Sequence, residues 1–62
     1  MQKVRMNLET INGNAFFLLG AFAANARRQG WPSEDIESVR RKAMASDYDH
    51  LLQTLMAHTE PE

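Results

Sequence analysis

Sixty-two residues, no cysteine and a formal net charge of −1 narrow the field at once. Without cysteine there are no disulfides and no thiolate metal sites, and the charge balance argues against a strongly basic nucleic-acid-binding arm. A chain this short makes one domain and buries only about 60% of its unfolded surface, so it needs a further source of stability. With cross-links and metal thiolates excluded, association with a second copy is the expected one.

The first seven residues hold no apolar core of the kind a signal peptide needs, which favours a cytoplasmic protein. Over residues 2–9, Val4, Met6 and Leu8 alternate with Lys3, Arg5, Asn7 and Glu9, the period of a half-buried strand. Thr10, Ile11, Asn12 and Gly13 then supply a turn. A single strand cannot satisfy its own backbone groups. The expected solution is antiparallel pairing with the same strand of a second copy in a homodimer. A very short second strand around Ile11 is the rival.

From Asn14 to Arg28 the chain carries its most apolar run, including all three phenylalanines. Asn14 is a strong N-cap. Arg27 and Arg28 oppose the negative end of the helix dipole. Gly30 suits the left-handed C′ position, Trp31 the apolar C″ position that folds back, and Pro32 blocks continuation. Apolar residues cover most of the circumference, so a buried central helix is expected. The run is too short for a bilayer span, which needs about 20 residues, so no membrane is implied. Gly20 costs roughly 1 kcal/mol against alanine at mid-helix; the structural reading is a notch where another element approaches.

A second helix is predicted over residues 34–45, capped by Ser33. Glu34 and Asp35 open it, Ile36, Val39 and Ala43 form its apolar face, and Glu37 pairs with Arg41. A third is predicted over residues 47–58, with Ser46 and Asp49 as a capping box. Its apolar stripe is Tyr48, Leu51, Leu52, Leu55 and Met56. Residues 59–62 read as a frayed polar tail. The fold class is therefore α+β, one N-terminal strand and three helices over residues 1–58.

Chemistry is sparse. Asp47, Asp49 and His50 are metal-ligand types, but neighbouring helical residues diverge by about 100° and capping already employs the carboxylates. His50 and His58 stand roughly 12 Å apart along a helix and cannot share an ion, so a solvated face is the plainer reading. No nucleophile–base set and no glycine-rich phosphate loop can be assembled. An enzyme is not expected, and no cofactor or metal. Arg27, Arg28, Arg40, Arg41 and Lys42 are candidate interaction residues. They would merge into one nucleic-acid-binding patch or stay apart. The faint helix-turn-helix spacing is opposed by Glu34, Asp35 and Glu37 at the start of the would-be recognition helix. Trp31 is either an exposed partner anchor or a lid on the first helix; its position after Gly30 favours the lid.

Three blocks carry a resemblance: Gly-Asn-Ala-Phe at 13–16, Ala-Arg-Arg-Gln-Gly-Trp at 26–31 and Asp-Tyr-Asp-His-Leu-Leu-Gln-Thr-Leu at 47–55. Together they resemble a group of short uncharacterised bacterial and phage or prophage proteins. The resemblance covers nearly the whole chain and is most specific in the last block. It implies a mobile-element origin and a small accessory role, with no activity and no functional residues to carry over. Pro32-Ser33 departs from the serine or threonine that the group's pattern places directly after the tryptophan. The expectation is a small homodimeric interaction module that binds and modulates a host or phage protein, through a face of the second and third helices or a cleft at the dimer seam. A nucleic-acid-binding accessory factor using the basic residues is the alternative.

Overall fold

The computed structural model describes residues 3–8 and 13–61, ordered β1 (Val4–Arg5), α1 (Ala15–Arg28), α2 (Ser33–Ala43), α3 (Tyr48–Ala57) and β2 (Thr59–Glu60). The class is α+β. Alternation over the N-terminal segment is real: Val4 and Met6 are buried while Lys3, Arg5 and Asn7 are exposed. Only Val4 and Arg5 form regular strand, however, and the ends of the expected 2–9 strand, the turn before Gly13 and the rival strand at Ile11 lie outside the described residues.

The expected frayed tail is corrected. Thr59 and Glu60 form β2 and pair in parallel with β1, Val4 opposite Thr59 and Arg5 opposite Glu60. The Val4 amide donates to the His58 carbonyl at 2.8 Å and the Met6 amide to the Glu60 carbonyl at 3.0 Å. Thr59 is buried by this pairing. The other edge of β1 is occupied as well. The Arg5 amide donates to Gln29 Oε1 at 2.8 Å, and Gln29 Nε2 donates to the Arg5 carbonyl at 2.9 Å. One glutamine side chain thus imitates a neighbouring strand across a single residue. A strand flanked this way has its backbone partners within its own chain, which removes the reason for seeking them in a second copy.

Three helices form the connection between the parallel strands. α1 begins where Asn14 Oδ1 accepts the Phe16 amide at 2.8 Å. It ends in a Schellman motif: the Gly30 amide donates to Arg27 O at 3.2 Å, the Trp31 amide to Ala26 O at 2.9 Å, and Gly30 takes φ 94°. α2 starts a residue earlier than expected. Pro32 occupies its N-cap, with no side-chain hydrogen bond, and Ser33 is the first helical residue. Proline suits this entrance because it has no N–H to satisfy and its φ is already set. α3 is capped by Asp47, whose Oδ1 accepts the His50 amide at 2.9 Å, so the box expected from Ser46 and Asp49 is shifted by one. Likewise Glu37 pairs with Arg40 at 2.7 Å rather than with Arg41.

The core draws on every element but β2. Val4 and Met6 meet Leu18, Leu19, Phe22 and Ala26 of α1, Ile36, Val39 and Ala43 of α2, and Leu51 and Leu55 of α3. Phe22, Leu18, Leu55 and Val4 are its largest fully enclosed side chains.

Candidate functional site

α1 is not buried all round. Its core-facing side is Leu18, Leu19, Phe22 and Ala26. At about 100° per residue, Phe16, Phe17, Gly20, Ala24, Arg27 and Arg28 fall on the opposite side, and all six are exposed. Phe16 is 80% and Phe17 56% exposed, their rings edge to face at 6.3 Å. The sequence pattern hid this, because alanine and glycine count as apolar wherever they point. The notch at Gly20 is open rather than filled: a Cβ there would meet nothing within 4 Å. At the N-terminal end of the face, half-exposed Tyr48 donates its hydroxyl to the Gly13 carbonyl, which anchors α3 beside the entrance to α1. At the C-terminal end stand the two arginines, Arg28 held by Asn25 Oδ1. The face is thus bulky and aromatic at one end, small in the middle and basic at the other.

The basic residues divide. Arg27 and Arg28 close α1, whereas Arg40, Arg41 and Lys42 lie in the last turns of α2. Acidic Glu34 and Asp35 open α2 between the two groups in sequence. The rise from Ser33 to Arg41 alone is roughly 12 Å. Arg40 is engaged by Glu37. Lys42 goes elsewhere: with Lys3, Trp31, Asp35, Ser38 and His58 it lines a cavity of about 350 Å³. Trp31 is the lid rather than a free anchor. Its half-buried ring stands edge-on to Phe22 at 5.6 Å and to His58 at 6.3 Å. His58, expected on a solvated face, therefore sits in a partly enclosed corner. Burial first, then the charges of Lys42 and Lys3, holds its pKa below the usual histidine value.

The polar residues of α3 have structural partners. Asp47 caps the helix, and His50 Nε2 donates to the Lys42 carbonyl at 2.8 Å, closing the C-terminal end of α2. Among the described residues no three His, Asp or Glu side chains are grouped to hold a metal ion. Among the described residues no helix is long and apolar enough to cross a membrane. A second concavity, about 470 Å³, lies between the strands and α3, with Met6, Leu8, Leu52, Met56 and Pro61 in its wall. No family model, curated protein or solved structure matches the chain.

Proposed function

We propose that the protein is a non-catalytic interaction module that works by offering the outer face of α1 to another protein. The observation that carries this reading is Phe16, the most exposed of the described large hydrophobic residues at 80%, beside Phe17 at 56%. Exposed apolar patches of this kind mark contact surfaces more often than they occur by chance, and aromatic and arginine side chains are the residue types that anchor such contacts. The small accessory role implied by the resemblance to phage and prophage proteins agrees with a protein that binds rather than transforms. The expected working surface was a face of α2 and α3 or a cleft at the dimer seam; the exposure of Phe16 and Phe17 favours α1 instead.

The test uses a surface substitution that leaves the core alone. Immobilised wild-type protein and the Phe16→Ser/Phe17→Ser double variant are exposed to bacterial lysate and, separately, to soluble copies of the same chain. Capture by wild type that the double variant loses, with circular dichroism unchanged, supports the reading. Equal capture by both, or none by either, overturns it.

A further inference from the structure

We infer that the partner met by this face is a second copy of the chain, docked through α1 against α1 in antiparallel sense about a two-fold axis beside Gly20. The inference rests on α1 being the working face. It goes further by naming the occupant and the register.

Shape supplies the first argument. The face carries its bulk at Phe16 and Phe17 and its hollow at Gly20 and Ala24, one and two turns further on. A two-fold axis through Gly20 reverses this order. Phe16 then lies opposite Ala24 of the partner subunit, and the two glycines face each other where the backbones approach most closely. Each ring fills the other copy's hollow, and the open space above Gly20 becomes the contact. A parallel pair would set ring against ring and hollow against hollow, leaving a void that forfeits dispersion contacts. The glycine that weakens the helix within one chain acquires a reason between two.

Charge supplies the second. Side chains on a helix lean toward its N-terminus. Arg27 stands seven residues beyond the axis, about 10 Å along the helix, and leans back toward it. Phe16 of the other copy stands four residues from the axis on that same side and leans outward. The guanidinium and the ring converge into a cation–π contact. Arg27 and its symmetry mate stay about 20 Å apart, beyond the roughly 8 Å screening length of physiological salt. Parallel packing would bring the arginines together.

The contact is confined to one side of the 14-residue α1, about 20 Å long, and a patch that small falls in the class of weak, transient interfaces.

The absence of cysteine makes the register directly readable. Gly20→Cys places its thiol on the axis, within the 4.4–6.8 Å Cα separation a disulfide requires, whereas Ala24→Cys lies about 12 Å from its mate. Under mild oxidation Gly20→Cys is expected to cross-link to itself at least tenfold faster than Ala24→Cys, while a mixture of Phe16→Cys and Ala24→Cys forms the mixed dimer. In parallel, sedimentation equilibrium from about 1 to 500 µM should show concentration-dependent dimerisation of wild type. Gly20→Gln, which adds bulk at a position open within the monomer, should weaken it at least tenfold without lowering thermal stability. Wild type that stays monomeric throughout, or equal cross-linking of Gly20→Cys and Ala24→Cys, overturns the inference. The broader reading of α1 fails separately, if wild type and Phe16→Ser/Phe17→Ser capture lysate proteins equally or neither captures any.

Discussion

The two sides of α1 differ little in composition and sharply in circumstance. Phe22 is wholly enclosed, edge-on to Trp31 and surrounded by the cores of three other elements, while Phe16, less than two turns away, is 80% exposed. The same residue type therefore does two jobs on one helix, and hydrophobicity alone cannot tell them apart. What separates them is the position of the remaining elements: β1, α2 and α3 are together only wide enough to cover one side. Substitution is the direct way to probe the contrast. Phe22→Ala should cost about 3–5 kcal/mol, comparable to the whole stability of a small domain, and should leave the chain largely unfolded by circular dichroism. Phe16→Ala should shift urea-unfolding stability by no more than about 0.5 kcal/mol at concentrations where the chain is monomeric. Similar losses at both positions would erase the distinction.

A second contrast lies between the two edges of β1. One is met by backbone, the other by a side chain. Removing residues 59–62 takes away the acceptor of the Met6 amide and the buried Thr59. The expected loss is about 2 kcal/mol, from a hydrogen bond worth about 1 kcal/mol net and the lost packing. A tail that frayed in solution would make this truncation silent. Gln29→Ala should cost less, about 1 kcal/mol, since both of its bonds are exposed and water replaces them in part. Gln29→Glu keeps an acceptor for the Arg5 amide but no donor for its carbonyl, and should fall between. Chemical denaturation of the three variants ranks them, and the order is the prediction.

Local signals proved more legible than the long-range ones. Asn14, Gly30, Trp31 and Pro32 each announce a helix boundary through their own stereochemistry, and the boundaries of α1 follow from them. The apolar spacing of Ile36, Val39 and Ala43, and of Leu51 and Leu55, likewise marks the buried faces of α2 and α3. The pairing of Thr59 with Val4 had no such signature. Two residues are too short to display alternation, and their partner lies 55 positions away in the chain. Gln29 was equally silent, because a side-chain amide imitating a strand depends on where the end of α1 lands beside β1. Of the candidate site residues, Arg27 and Arg28 belong to the α1 face, whereas Trp31 and Lys42 line a separate cavity. A run apolar over most of the helix does not show which side is left over, so the exposure of Phe16 and Phe17 has no signature in the sequence.

The smallest effect expected is a pH dependence, and it separates the enclosed corner at Trp31 from the open face at Phe16. His58 is disfavoured as a cation by burial and by Lys42 and Lys3, so its folded pKa lies below that of the unfolded chain. Asp35 also lines the cavity and opposes the lysines only in part. Between the two pKa values the unfolded state binds more protons, so stability rises with pH through that window. The contribution of a neutral His58 is fully present above the ordinary histidine value and is lost as pH falls toward the depressed one. Urea titrations of wild type and His58→Gln across that range should diverge, wild type losing stability on acidification more steeply than the variant. Phe16→Ser should retain the wild-type slope, because nothing on the outer face of α1 titrates there. Parallel slopes for wild type and His58→Gln would mean that the imidazole is as well solvated folded as unfolded, and that the Trp31 corner is open.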